Sequence, residues 1–98
     1  MKATPDYEGM DTLTLDANAV AGMLTEIFGT EMTGAMSRCT HCGNRAQIGT
    51  LRAYVQAPGV VLRCSVCTEV VMRAMRREDG SFLIDARGAT YVRMSAYG

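Results

Sequence analysis

The sequence contains a single histidine, no cysteine outside two short pairs, and no apolar run near the roughly 20 residues a membrane-spanning helix requires. Each absence excludes something. With one histidine, no Ser-His-Asp set, no paired carboxylates on a rigid element and no phosphate loop, the chain is not expected to be an enzyme or to take a small-molecule substrate. Gly22 and Gly29 follow no strand and open no helix, so they form no nucleotide fingerprint. The first twelve residues, MKATPDYEGMDT, lack an apolar core region, so no secretory signal is expected. The expectation is a soluble, cytoplasmic protein without membrane contact. In that reducing compartment, paired cysteines point to metal or redox chemistry rather than to a disulfide framework.

What is present suits one domain of 98 residues. A chain this short buries only about 60 to 65 % of its unfolded surface, which leaves the core marginal without a staple. The formal charge of zero conceals two opposed halves. Residues 1–37 carry one lysine against six acids, a balance of −5, and residues 38–98 carry nine arginines against four acids, a balance of +5. Such segregation suits an acidic arm docked on a basic domain, or a basic domain that meets an anionic partner.

Residues 1–12 are polar and unpatterned, and a mobile arm is expected there. The spacing then predicts a helix over residues 17–28, capped by Asp16, with Val20, Met23, Leu24, Ile27 and Phe28 on one face and Gly29 as the stop. Gly22, inside this helix, suggests close approach of another backbone. Beyond it the pattern is extended. Residues 47–57 and 60–63 form a hairpin about Pro58-Gly59, residues 70–77 and 81–87 form a second about Asp79-Gly80, and residues 90–94 form a last strand. A short strand before Cys39 is weakly patterned. Alternation sends Leu51, Ala53, Val55, Leu62, Val70, Met72, Ala74, Phe82, Ile84, Val92 and Met94 to a face covered by the helix. The opposite face would carry Arg52, Tyr54, Gln56, Arg63, Arg73, Met75, Arg77, Asp85, Arg87, Tyr91 and Arg93.

The two pairs are Cys39-Thr40-His41-Cys42 and Cys64-Ser65-Val66-Cys67, with 21 residues between them. A two-residue gap lets both sulfurs of a pair meet one ion, and the intervening hairpin brings the second pair to the opposite edge of a tetrahedron. Cys39, Cys42, Cys64 and Cys67 are thus candidate ligands of a structural Zn²⁺. Mononuclear iron uses the same ligands, while thiol-disulfide exchange and plain apolar packing are the other readings. Gly43 should let the first turn curl so that amides face sulfur, whereas Thr68 stands at the corresponding place in the second, where a less regular turn is expected. His41 is read as an exposed bystander. Four thiolates would close the site to water and substrate, so the metal would support the fold rather than catalyse.

Paired Cys-x-x-Cys knuckles at hairpin tips resemble a zinc ribbon. Nearly the whole chain also resembles an uncharacterised family of small zinc-ribbon proteins from high-GC Gram-positive bacteria. That likeness rests on LDANAVAGML at 15–24, APGVVLRC at 57–64 and DARGATYV at 85–92, together with the cysteines. It implies an α+β fold, an N-terminal helix on an antiparallel ribbon sheet of about four to six strands, within one domain over residues 13–98. Zinc ribbons commonly serve transcription and RNA processing. The expected function is therefore contact with nucleic acid, or with a protein of the transcription machinery, through Arg52, Tyr54, Arg63, Arg73, Arg87, Tyr91 and Arg93. The alternative is a protein-interaction adaptor that touches no nucleic acid.

Overall fold

The structure is a computed structural model that describes residues 13–56 and 58–94. The arm expected at residues 1–12 lies outside the described residues. The architecture is α+β, with one α-helix and eight strands in two antiparallel sheets among the described residues. β1 (Leu13–Asp16) leads through a 3-10 turn (Ala17–Val20) into α1 (Ala21–Phe28). Next come β2 (Met36–Cys39), β3 (Arg45–Gln47), a second 3-10 turn (Ile48–Thr50), β4 (Arg52–Gln56) and β5 (Gly59–Arg63). β6 (Val70–Arg76), β7 (Phe82–Asp85) and β8 (Ala89–Arg93) complete the described elements. The five-stranded sheet has the order β1-β4-β5-β6-β7 and the three-stranded sheet the order β3-β2-β8. No helix among the described residues is long and apolar enough to cross a membrane.

The expected single sheet of four to six strands is thus corrected to two sheets with eight. The split occurs at the turn after β7. The Ala89 amide bonds back to the Ala86 carbonyl, and β8 pairs with β2 instead of continuing beside β7. Gly88 makes this crossing feasible, because a side chain there would collide with the Val70 carbonyl and the Val71 backbone of β6. Val92 and Met94 therefore do not join the buried face of the larger sheet.

The remaining face assignments follow the ladder, except that Ile84, on the outer strand β7, is exposed rather than buried. Ala53, Leu62 and Met72 stand opposite one another in turn, as do Val55, Val60, Ala74 and Ile84. A register shift between Leu62 and Arg63 breaks the alternation in β6, so Val71 is buried where Val70 was expected. α1 covers this face as expected: Leu24 is fully buried, Met23 and Ile27 line a groove with Val55 and Phe82, and Glu26 pairs with Arg76 at 2.6 Å.

The helix itself is shorter than the apolar spacing suggested. Its first turn is 3-10, with the Asp16 carboxylate accepting from the Asn18 amide at 3.0 Å, and α1 proper stops at Gly29. Gly22 is exposed with open space where a side chain would project, so no backbone approaches it. β1 was not anticipated, since four residues run straight into the Asp16 cap.

Candidate metal centre

Each cysteine pair occupies the tip of a hairpin, the first between β2 and β3 and the second between β5 and β6. The two tips are near copies. In the first, the Gly43 amide donates to the Cys39 carbonyl at 2.9 Å and the Cys39 amide to the Asn44 carbonyl at 2.9 Å. In the second, Thr68 donates to Cys64 at 3.0 Å and Cys64 to Glu69 at 2.9 Å. Gly43 has φ 78° and Thr68 φ 67°, so the second turn is as regular as the first, against expectation. An arginine accompanies each turn: the Arg38 guanidinium lies against Gly43, and Arg63 donates to the Thr68 carbonyl at 2.9 Å.

The sulfurs converge. Cys39 and Cys67 are 3.6 Å apart, as are Cys42 and Cys64, and all four ligand atoms lie within 4.8 Å of one another. Zinc–sulfur bonds of about 2.3 Å in a tetrahedron would set sulfurs about 3.8 Å apart, so the donor set fits a four-coordinate ion. The four cysteines are therefore placed to bind a metal ion. His41 is exposed on the first tip and stands outside this group.

The sulfurs sit among backbone amides. Val66 and Cys67 donate to the Cys64 sulfur at 3.4 and 3.5 Å. Burial opposes ionisation of Cys64, but those amides together with hydrogen bonds from the Cys42 and Cys67 thiols outweigh it and draw the thiol down to about 7. At Cys67 the Glu69 amide favours the thiolate, yet loss of solvent and the three neighbouring sulfurs prevail and push it up to about 12. Cys42 is raised too, the Asn44 amide being outweighed by loss of solvent and the facing sulfurs. Sulfurs this close do not ionise together unless a cation lies between them, which is the electrostatic demand a divalent metal meets.

The structure brings together only part of the expected Arg and Tyr surface. Arg52, Tyr54, Arg63 and Arg73 share the outer face of the five-stranded sheet, with Arg52 directly opposite Arg63. Arg63 lies over the Tyr54 ring at 5.5 Å, so that ring face is already covered. Arg87 lies past the end of β7, bound to Asp85 through three hydrogen bonds of 2.7 to 3.1 Å. Tyr91 and Arg93 belong to the other sheet.

Two residues that sequence reasoning missed stand beside them. Across the three-stranded sheet, Arg45 faces Arg38 and Arg38 faces Tyr91, with Arg93 two residues along β8 on the same side. All four are exposed, and none takes part in an ion pair among the described residues. The signal was present in the alternation Met36, Arg38 and Arg45, Gln47 on either side of the first knuckle, but both strands are too short to announce themselves.

Fold and site together define a small α+β protein in which two hairpin tips bring four thiols within reach of one metal ion. Residues 10–97 match DUF6510, a family of unknown function, and the chain belongs to that family. No curated protein and no solved structure matches it.

Proposed function

We propose that the protein is a cytoplasmic, non-catalytic module of zinc-ribbon type, in which Zn²⁺ on Cys39, Cys42, Cys64 and Cys67 is structural and a basic sheet face contacts nucleic acid. The zinc part is supported by four convergent thiols with no fifth donor among the described residues. Closed sulfur sites of this kind contribute to folding and leave no position for substrate.

The observation that carries the nucleic-acid reading is the row Arg45-Arg38-Tyr91 with Arg93, a solvent-facing surface with no carboxylate at the paired positions among the described residues. Directly opposed like charges cost stability across a strand pair, and an anionic ligand offsets that cost. Phosphates would meet the guanidinium groups while a base stacks on Tyr91, the arrangement of sequence-tolerant single-strand binders. Arg52, Tyr54, Arg63 and Arg73 on the larger sheet form a secondary basic face, tempered by Asp85 beside Arg73.

Fluorescence anisotropy with single-stranded and duplex oligonucleotides tests the reading at low salt, where phosphate attraction is greatest. Single-strand binding that weakens in Arg38→Ala and Tyr91→Ala, with zinc still bound, supports it. Absence of binding to any probe at low salt removes it. A second reading, a protein adaptor without nucleic-acid contact, draws on the exposed apolar pair Met75 and Leu83 on the larger sheet.

A further inference from the structure

β7 is the outer strand of the five-stranded sheet, and among the described residues it pairs only with β6. It shows an apolar side chain to solvent on each side: Leu83 is 51 % exposed on one face and Ile84 41 % exposed on the other. Edge strands are ordinarily blunted by lysine, proline or a bulge, because their free amides and carbonyls invite another strand. Between Ser81 and Asp85 there is no lysine, no proline and no break in register.

The direction of the free groups can be read from the hairpin end. Arg77 donates to the Ser81 carbonyl at 2.8 Å, while the preceding Arg76 donates to Pro58 on the opposite side at 3.0 Å. Alternation along an antiparallel ladder then turns the Leu83 amide and carbonyl toward β6 and those of Phe82 and Ile84 toward the open edge. Outward-facing groups at residues 82 and 84 form a symmetric set about Leu83.

We propose that this edge pairs antiparallel with β7 of a second copy of the chain, about a twofold axis at Leu83. In that register Phe82 meets the partner's Ile84, and the twofold repeats the pair, so four backbone hydrogen bonds close the edge. Leu83 meets the partner's Leu83 as a non-hydrogen-bonded pair, in which side chains approach closely. Met75, 45 % exposed and opposite Leu83 on β6, extends this contact into a four-residue apolar row across the joined sheet. Sliding the pairing by one step would set Leu83 against Asp85 or Ser81 and lose the apolar match. At each end the acidic turn with Glu78 and Asp79 approaches the partner's Arg87, an opposite charge. The contact is isologous, as a closed dimer requires. With five residues a side it falls below the roughly 1,200 Å² of standard interfaces, so the dimer dissociates on dilution.

Sedimentation equilibrium on the metal-loaded full chain, from low micromolar to near millimolar concentration, provides the first test. The mass rises from monomer toward dimer, and Leu83→Lys, a change at an exposed position, abolishes the rise while keeping the circular dichroism and the bound metal. Leu83→Cys adds a test of register. The Cα atoms of a non-hydrogen-bonded pair lie about 4.5 Å apart, within disulfide range, so limiting diamide links the variant into a covalent dimer. Ser81→Cys, which faces the partner's Asp85, does not link. A monomer at every concentration overturns the proposal, whether the edge is bare or covered by residues 1–12 of the same chain. A dimer indifferent to Leu83→Lys, or equal crosslinking from positions 81 and 83, overturns it as well.

Discussion

Thr68 holds the same left-handed backbone conformation as Gly43, at φ 67° against 78°, and each closes the turn behind its cysteine pair. For a β-branched residue this conformation is a genuine outlier, costing about 1 to 2 kcal/mol. The clasp tolerates that strain because the turn must aim amides at sulfur. Thr68→Gly is therefore expected to raise stability by about 1 kcal/mol, the gain being trimmed by glycine's freedom in the unfolded chain. Gly43→Thr should destabilise by about the same amount, through the left-handed backbone alone, since a side chain there would meet the Arg38 guanidinium only at ordinary contact distance. Thermal unfolding of the zinc-loaded variants checks both signs.

Metal removal should be far more damaging than either change. The buried core includes Cys39 and Cys64, and the clasp joins the three-stranded sheet, which holds the first pair, to the five-stranded sheet, which holds the second. Metal binding at such sites contributes on the order of 10 kcal/mol to folding, because the unfolded chain has no preformed site. A strong chelator, or Cys42→Ser, is expected to unfold residues 38–70. Circular dichroism with native mass spectrometry reads this, and a native spectrum from metal-free protein would contradict it. The same mass measurement distinguishes zinc from iron.

The features legible in the sequence were those fixed within a few residues. The Cys-x-x-Cys spacing, the Asp16 cap, the Gly29 stop and the Asp79-Gly80 turn each act locally, and each is found where the pattern put it. The extended segment expected over 47–57, by contrast, is broken by the 3-10 turn Ile48–Thr50, and Gly59, expected in the turn, already pairs with Gln56 in β5. The division into two sheets was not legible, because it depends on β8 pairing with a strand some fifty positions earlier, Arg38 with Tyr91. Tyr91 and Arg93 were consequently credited to the wrong sheet, and Arg38 and Arg45 were passed over. Glycine was misjudged in the same way. Gly22 suggested a close backbone approach because it stands in a helix, whereas such contacts belong to Gly59 and Gly88, whose neighbours on β6 are distant in sequence.

The Asp85–Arg87 pair predicts a response to acid. Hydrogen bonds from the Arg87 side chain and amide, with the charges of Arg87 and Arg73, hold the Asp85 carboxyl well below its ordinary range. A group whose pKa is depressed by folding stabilises the protein above its unfolded value, about 3.9, and loses that contribution as pH falls through the folded value. Asp85→Asn is expected to be less stable than the parent near neutrality by a constant amount. The gap should close below about pH 4. Taking the difference between the two proteins cancels the loss of metal that both undergo in acid. If the gap stays constant through the acid limb, Arg87 does not engage Asp85 in solution.

Two arginine pairs stand directly opposed across strands, Arg52 with Arg63 on the larger sheet and Arg38 with Arg45 on the smaller. Both pairs involve the arginine that precedes a cysteine knuckle, but Arg52 also stands opposite Asp16 of β1, so the two pairs should differ in their stability effects as well as in binding. Replacing a like-charge pair by an opposite one across strands is worth about 0.2 to 1 kcal/mol. Arg45→Glu should thus raise the denaturation midpoint slightly, whereas Arg52→Glu exchanges repulsion from Arg63 for repulsion from Asp16 and should leave it nearly unchanged. Only Arg45→Glu should weaken single-strand binding strongly and flatten its salt dependence, since the charge it reverses belongs to the row that ends in Tyr91. Equal losses from both variants would spread the contact over both sheets, and a loss confined to Arg52→Glu would move it to the larger one. Stability gained together with binding lost at one position is what separates a ligand face from a solvated one. An arginine kept only for solubility would give up its neighbour's repulsion without any cost in affinity.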